Sequence, residues 1–283
     1  MIFVSLTTDF ECLSPSTAGD SFIDIKKQMI EPAKKLVKFA DKYGFKITFF
    51  LEIIQWNRFH YVKEYRKDIK KLNNFLKDLY SDGHDIQIHA HSEWVTAKRN
   101  KNKWIRAWTG KDNVHEIMSK FLQVFDNSLK RLKATLPKEY NMTCFRAGGY
   151  AVDPVDLLFP QLKKRGFLAD SSRHNKNLFG LKTEKNLISM PILGTFPTTN
   201  QRWDMNLSYN SPFYIFKRKT SCYENNIKFA VMMGHTKQIH FWDSINTLFS
   251  FLKNDRLITA VTISEQINLI KALYKAELNA KGF

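Results

Sequence analysis

Acidic and imidazole side chains recur two residues apart at the ends of apolar segments of this sequence. Asp9 and Glu11 form one such pair, and His89 and His91 form another. In an extended strand, alternate side chains point to the same face. Each pair therefore presents its two groups to one space if its segment is a strand. Two imidazoles and a carboxylate with open coordination positions make a competent site for Zn²⁺, and also for Fe²⁺ or Co²⁺.

The segments that carry these pairs belong to an alternation of predicted strands and helices. Short apolar runs predict strands at residues 2–8, 46–51, 85–91, 143–146, 187–192, 229–233 and 257–263. Helical periodicity predicts helices at residues 25–43, 61–79, 114–132, 154–165 and 265–278. This alternation indicates an α/β fold with a parallel sheet, and we expect a distorted (β/α) barrel of about seven parallel strands. Barrels of this kind place their chemistry at the C-terminal ends of the strands.

Length and composition favour one domain. The chain has 283 residues, of which 43% are hydrophobic, enough for one sizeable core. No repeat, low-complexity tract or Pro/Gly linker divides it. We therefore predict a single catalytic domain over residues 1–283, in which the irregular stretches 95–113 and 195–228 are loops or insertions.

The net charge of +17 and the pI near 9.7 do not by themselves select a partner. Nucleic acid, an anionic membrane surface and a negatively charged substrate all fit such a charge, and so do solvated faces rich in lysine. The lysines are spread over the predicted helices, and no zinc-finger, RNP-like or helix-turn-helix signature occurs. We expect no nucleic-acid partner. Peripheral membrane contact and the oligomeric state stay open.

The cysteines and the N-terminal segment predict a soluble cytoplasmic protein. Cys12, Cys144 and Cys222 are odd in number and widely spaced, which favours a reducing compartment over a disulfide framework. Residues 1–9 lack the basic segment, apolar run and cleavage site of a signal peptide. No apolar stretch approaches the roughly 20 residues that span a bilayer.

Five short motifs occur in an order that resembles a known enzyme family. They are Thr8-Asp9-Phe10-Glu11, Ile47-Thr48-Phe49-Phe50, Gly83-His84-Asp85-Ile86-Gln87-Ile88-His89, Phe145-Arg146-Ala147-Gly148-Gly149-Tyr150 and Gly234-His235. Over about residues 2–270, this series resembles the polysaccharide deacetylases of the NodB-homology type, carbohydrate esterase family 4. It is most similar to a branch found in surface-polysaccharide gene clusters. The resemblance implies the barrel fold and hydrolysis of a linear amide.

The resemblance also implies roles for the matching residues. Asp9 would be the catalytic base, and Arg146 would position it. Glu11 and His89 would bind the metal. His235 would be the general acid that protonates the departing amine after water attacks the amide carbon. The implied cofactor is a divalent metal, with zinc first and iron, cobalt or nickel as alternatives.

Two further roles are predicted, the first from a resemblance of Asp170-Ser171-Ser172 to the family's Asp-Ser-Ser after the next strand. Asp170, in the sequence Asp170-Ser171-Ser172, would support His235. Tyr150 would contribute to substrate binding, and a backbone N–H near it would stabilise the tetrahedral oxyanion.

The sequence departs from the family at one metal ligand. The family's second motif is His-x-x-x-His, which places a ligand at position 93, where this chain has Glu93. His91 shares a strand face with His89, so it is the predicted replacement. Glu93 remains the alternative ligand.

Tryptophans and cations follow the predicted metal strand. Trp94, Trp104 and Trp108 lie among Lys98, Arg99, Lys101, Lys103, Arg106 and Lys111. Aromatic faces stack on sugar rings, and cations hold phosphate. We therefore predict that the tryptophans bind an amino sugar linked to a nucleotide or to a lipid phosphate. Tryptophans that fold inward are an equally weighted alternative.

These observations predict removal of an acetyl or formyl group from the nitrogen of an activated amino sugar, in surface-polysaccharide or lipopolysaccharide biosynthesis. Hydrolysis of a small non-sugar amide would use the same site. The alternative from another class is a catalytically silent barrel that binds a glycan or another polyanion through its basic surface.

Overall fold

The computed structural model describes residues 2–15, 23–100, 103–105, 114–173, 182–195, 229–238 and 242–280. The strands in this part of the chain are β1 (Ile2–Phe10), β2 (Thr48–Glu52), β3 (Asp85–Ala90), β4 (Lys98–Asn100), β5 (Lys103–Ile105), β6 (Cys144–Ala147), β7 (Ala169–Asp170), β8 (Lys182–Glu184), β9 (Leu187–Ser189), β10 (Ile192–Thr195), β11 (Phe229–His235) and β12 (Ile258–Val261). The α-helices are α1 (Glu31–Tyr43), α2 (Ile53–Phe59), α3 (Arg66–Ser81), α4 (Glu93–Thr96), α5 (Val114–Thr135), α6 (Val155–Lys164), α7 (Trp242–Asn254), α8 (Ile263–Leu273) and α9 (Lys275–Ala280). Short 3₁₀ turns lie at Lys63–Tyr65, Gly148–Tyr150 and Thr236–Gln238, and a π-helical turn at Lys26–Ile30 leads into α1.

One curled sheet organises the described residues. Its strand order is β10-β11-β1-β2-β3-β6-β7-β9-β8, and β12 also pairs with β1. Its strands pair in parallel except for β8 with β9. The sheet forms a half-barrel with helices between its strands, so the predicted α/β barrel-type fold is confirmed. Its parallel strands end at a common edge, which is where the candidate site lies.

The central strand β1 is covered on both faces. All of its residues are buried except Phe3, as expected for a strand inside a parallel sheet. Its polar side chains have partners: Ser5 Oγ donates to Gln266 Oε1 at 3.0 Å, and Thr7 Oγ1 donates to the Met232 carbonyl at 2.8 Å. Burial of these hydroxyls is therefore compatible with a stable core.

The helices pack apolar faces against the sheet. In α3, the spacing of the buried residues matches one helical stripe, and these are Ile69, Leu72, Phe75, Leu76 and Leu79. The helix α1 ends at Gly44, whose φ of 71° is the left-handed conformation that glycine adopts without strain. The helix α8 begins with a capping box between Thr262 and Glu265.

The structure refines three sequence-based boundaries. The strand predicted at residues 187–192 is two strands, β9 and β10, and the helix predicted at residues 265–278 is divided into α8 and α9. Within the stretch 95–113, predicted to be irregular, the described residues form the end of α4 and the antiparallel pair β4–β5. No helix in the described ranges has both the length and the apolar character of a membrane-spanning segment. The single-domain organisation stays a prediction.

Candidate active site and metal centre

Strand register brings the candidate residues to one edge of the sheet. Asp9 at the end of β1 is paired with His235 at the end of β11. His89 on β3 is paired with Glu52 on one side and Arg146 on the other. Because these strands are parallel, residues that are distant in sequence lie side by side at their C-terminal ends.

A buried ion pair fixes Asp9. Arg146 Nη1 donates to Asp9 Oδ1 at 2.7 Å, and the two side chains are 0% and 4% exposed. The remaining guanidinium donors contact Thr7 Oγ1 at 3.0 Å and both the hydroxyl and the carbonyl of Ser171 at 3.1 Å. The guanidinium also lies 3.8 Å from the ring centroid of Phe50. Arg146 is therefore held from several sides and leaves the Asp9 carboxylate one orientation.

The electrostatics keep Asp9 ionised. Burial alone would raise the pKa of the carboxyl, but the opposing charges of His89, Arg146 and His235 outweigh burial and lower it. A buried carboxylate that is ionised at neutral pH is able to accept a proton, which is the property of a general base.

Three side chains converge on a space suited to a cation. The ligand atoms of Glu11, His89 and His91 lie within 4.8 Å of one another. Glu11 Oε2 is 3.6 Å from His89 Nε2 and 3.0 Å from His91 Nε2. Glu11 Oε2 and His89 Nε2 are buried, and neither has a partner with the geometry of a hydrogen bond.

These unpartnered atoms fit a bound metal ion. A buried polar atom without a partner is unfavourable by about 1–3 kcal/mol, and a divalent cation would satisfy both atoms at once. One carboxylate oxygen and two imidazole nitrogens with open positions suit Zn²⁺, Fe²⁺ or Co²⁺.

The histidine rings are oriented by contacts behind them. His89 Nδ1 lies 3.0 Å from the Arg146 carbonyl, so a proton on Nδ1 leaves the Nε2 lone pair facing Glu11. His91 Nδ1 lies 2.9 Å from Glu93 Oε1, which leaves His91 Nε2 facing Glu11 in the same way. The structure places His91 inside the ligand group, with Glu93 behind it.

Charges around His91 change its proton affinity. Burial alone would lower the pKa of the imidazole, but the carboxylates of Glu11 and Glu93 outweigh burial and raise it well above the usual value. The backbone N–H of His91 donates to Glu52 Oε1 at 2.8 Å. Burial raises the pKa of Glu52 to about 8, against the opposing contacts from His91.

His235 contacts Asp9 but not Asp170. His235 Nε2 lies 3.5 Å from Asp9 Oδ2, and burial lowers the pKa of the imidazole, opposed by Asp9. The expected pairing of His235 with Asp170 is not formed: the Asp170 carboxylate accepts hydrogen bonds from the hydroxyl and the N–H of Ser172. The physical reason is local: Ser172, two residues further along the chain, occupies both carboxylate oxygens of Asp170. Burial raises the pKa of Asp170 to about 6, opposed by the hydrogen bonds from Ser172.

A lysine that the sequence patterns did not single out completes the site. Lys237 Nζ lies 2.7 Å from Glu11 Oε1 and 3.3 Å from the Cys12 carbonyl. Lys237 is 10% exposed and Glu11 is 1% exposed. Burial alone would raise the pKa of Glu11, but Lys237 and His91 hold it well below its usual range. The only sequence signal was the position of Lys237 two residues after His235.

Glu52 was also missed by the sequence patterns. It follows the predicted strand 46–51 directly and is the N-cap of α2, where its side chain accepts from the Gln55 N–H. The same carboxyl accepts a hydrogen bond from the His91 N–H, so Glu52 links the turn after β3 to the start of α2. An acid directly after a buried strand was the available signal.

Two of the three predicted substrate-binding tryptophans are buried against other aromatic side chains. Trp94 and Trp104 are 0% and 4% exposed, and their rings pack against each other at 5.2 Å and against Phe59. A ring that stacks on a sugar must expose a face, so the inward-folded alternative applies to both. Trp108 lies outside the described residues. The backbone of Tyr150 lies in the 3₁₀ turn Gly148–Tyr150.

Solved structures share this architecture. A Mycobacterium smegmatis protein assigned as a polysaccharide deacetylase gives a TM-score of 0.63 at 12% identity, covering 96% of this chain and 91% of that chain. A Pseudomonas aeruginosa PAO1 protein with the same assignment gives 0.59 at 12% identity, covering 96% and 91%. The Puue allantoinase gives 0.60 at 10% identity, covering 96% and 90%.

Sequence comparison adds no closer relative. No protein-family model matches the chain, and no curated protein matches it. At 10–12% identity the structural likeness concerns the fold, and proteins named for different substrates share it. The fold of this chain is thus the one found in the polysaccharide deacetylases.

Proposed function

We propose that this protein is a metal-dependent hydrolase that removes an N-acyl group, acetyl or formyl, from an amino sugar. One observation carries the proposal. The ionised, buried Asp9 carboxylate lies 3.7 Å from His89 Nε2, an atom of the unpartnered ligand group that fits a divalent cation. Asp9 and that group together provide a base and a cation site within one buried space.

Each residue of the candidate site has a defined role in this proposal. Asp9 accepts the proton of the attacking water through Oδ2, because Oδ1 is occupied by Arg146. His235 lies 3.5 Å from the same Oδ2, close enough to carry a proton to the departing amine. Arg146 keeps Asp9 ionised and oriented. Glu11, His89 and His91 would hold a divalent ion, which would supply Lewis acidity toward the amide carbonyl.

The structural neighbours and the charge of the chain bear on the substrate class. Structural neighbours are named polysaccharide deacetylases, which favours a sugar amide. An anionic substrate, such as a nucleotide-linked or lipid-phosphate-linked amino sugar, fits the net charge of +17, as other polyanions do. We propose such an activated intermediate of surface-polysaccharide biosynthesis in the cytoplasm as the substrate.

The test is release of acetate or formate from a panel of N-acetyl and N-formyl nucleotide sugars by metal-loaded protein. Asp9→Asn should lower turnover at least about 100-fold, since it removes the base but keeps an acceptor for Arg146. The matched control is Asp126→Asn, which alters an exposed carboxylate paired with Arg165. Normal turnover in Asp9→Asn would contradict the assignment.

Two rival functions have distinct outcomes in this test. The allantoinase neighbour favours including non-sugar amides in the panel, and turnover of these alone would move the substrate class away from sugars. A catalytically silent polyanion-binding barrel predicts no metal uptake and steeply salt-dependent binding of polyanions. Uptake of about one divalent ion per chain supports the hydrolase.

A further inference from the structure

The space beside the His91 ring is available only because residue 148 is glycine. A Cβ atom built on Gly148 would lie 2.1 Å from His91 Cγ and 2.3 Å from Cδ2 and Nδ1. Carbon atoms that are not bonded pack at about 3.5–4.0 Å, so the imidazole occupies the volume that any side chain at 148 would need.

Backbone conformation does not explain this glycine. The glycines with positive φ in the described residues are Gly44, Gly83, Gly149 and Gly166, so Gly148 is not among them. Any L-residue could adopt its backbone conformation, and steric room for His91 is the property that glycine supplies.

The imidazole has little freedom to move away. Its Nδ1 lies 2.9 Å from Glu93 Oε1, its backbone N–H is held by Glu52, and its ring meets His89 edge-on with centroids 4.7 Å apart. Displacing the ring from Gly148 would also change the 3.0 Å separation between His91 Nε2 and Glu11 Oε2.

We propose that Gly148 and Glu93 are positioning residues that make His91 the third metal ligand: Gly148 admits the ring, and Glu93 fixes its tautomer. The inference rests on the metal site of the proposed function. A ligating histidine commonly donates its other ring N–H to a carboxylate, and loss of that partner weakens metal affinity about 10–100-fold. Glu93 is placed as that partner rather than as a ligand.

Glycine substitutions test the steric part. Gly148→Ala should weaken Zn²⁺ or Co²⁺ affinity at least about 10-fold in a chelator competition and alter the visible spectrum of bound Co²⁺. The control is Gly149→Ala in the same turn: among the described residues its Cβ would meet nothing within 4 Å, although its φ of 59° is unfavourable for alanine. Gly149→Ala should lose some thermal stability but keep the wild-type affinity.

A double-mutant cycle on the metal-free protein separates the steric contact from a general folding defect. Gly148→Ala should lower the melting temperature, and adding His91→Ala should recover part of the loss because it removes the ring that clashes. An undiminished loss in the His91→Ala background would overturn the role of Gly148. Unchanged metal affinity in Gly148→Ala would overturn it as well.

Substitutions of Glu93 test the second part. Glu93→Gln retains an oxygen that can accept the Nδ1 proton, so its affinity should stay within about 10-fold of wild type, whereas Glu93→Ala should fall further. Loss of stoichiometric metal in Glu93→Gln would identify Glu93 as the ligand and refute the proposal. If the wild-type protein bound no metal, the proposed function would fail instead, which is a separate outcome.

Discussion

Replacing Lys237 by methionine tests how the site balances its charge. Lys237 Nζ lies 2.7 Å from Glu11 Oε1, and the two side chains are 10% and 1% exposed. Methionine keeps most of the aliphatic length but removes the ammonium. The Glu11 carboxylate then remains buried without its closest cation, in the part of the site where the metal is expected to bind.

The size of the effect follows from this burial. Removing one partner of a buried ion pair costs about 3–5 kcal/mol in the free energy of unfolding. At about 2–4 °C per kcal/mol for a chain of this size class, the metal-free melting temperature should fall by about 6–20 °C. A bound divalent ion replaces the ammonium as counter-charge to Glu11, so the loss should be much smaller in loaded protein. Recovery of about 2 kcal/mol corresponds to metal affinity about 30-fold tighter than in the wild type.

The assay is thermal unfolding with and without metal, combined with chelator competition for affinity. Lys120→Met is the matched control, because Lys120 lies 2.6 Å from Glu116 on the surface of α5, with side chains 56% and 60% exposed. Solvent screens that pair, so its loss should be small and independent of metal. Equal losses for Lys237→Met in metal-free and loaded protein, or weaker metal binding, would refute the reasoning.

Three further predictions concern the residues around this centre. Arg146→Lys cannot reproduce the several-sided contact of the guanidinium, so turnover should fall about 100-fold and the pKa of Asp9 should rise. The acid limb of the pH profile of kcat/KM should then move to higher pH, and an unmoved limb would contradict this prediction. Burial raises the pKa of Asp170 from 3.8 to about 6, so the folded protein retains a proton that the unfolded chain releases. The contribution of Asp170 to the free energy of unfolding is therefore complete below about pH 4 and is lost as the pH rises through 6. Asp170→Asn should therefore gain up to about 3 kcal/mol relative to wild type between pH 4 and 7 in denaturant unfolding, and a constant difference would count against it. Trp94→Ala should destabilise the fold by about 3–5 kcal/mol in urea unfolding, and a changed KM at unchanged stability would restore Trp94 as a substrate contact.

Local patterns in the sequence were sufficient for the fold class and for the expectation that several candidate residues lie at one edge of the sheet. Period-two spacing predicted that His89 and His91 share a strand face, but β3 ends at Ala90 and His91 lies one residue beyond it. The apolar segments predicted strands that the structure contains, with shifted ends. Because parallel strands bring their C-terminal ends to one edge, Asp9, His89 and His235 could be expected together. The structure brings these side chains into contact.

The tertiary structure decided the contacts that depend on register and on volume. Lys237 and Glu11 are 226 residues apart in sequence and meet only because β11 lies beside β1. The steric reason for a glycine at position 148 is seen only in the structure, where the His91 ring fills the space that a Cβ would need. Likewise, the turn after β7 directs both oxygens of the Asp170 carboxylate to Ser172 rather than to His235.

Trp94 and Trp104 show that sequence alone also does not determine packing. From the sequence after β3, Trp94 and Trp104 could face either a substrate or the core. In the structure both rings pack against Phe59 and are buried in the core. Spacing along one segment determines which side chains share a face. It does not determine which other segment covers that face, since this depends on how distant elements pack.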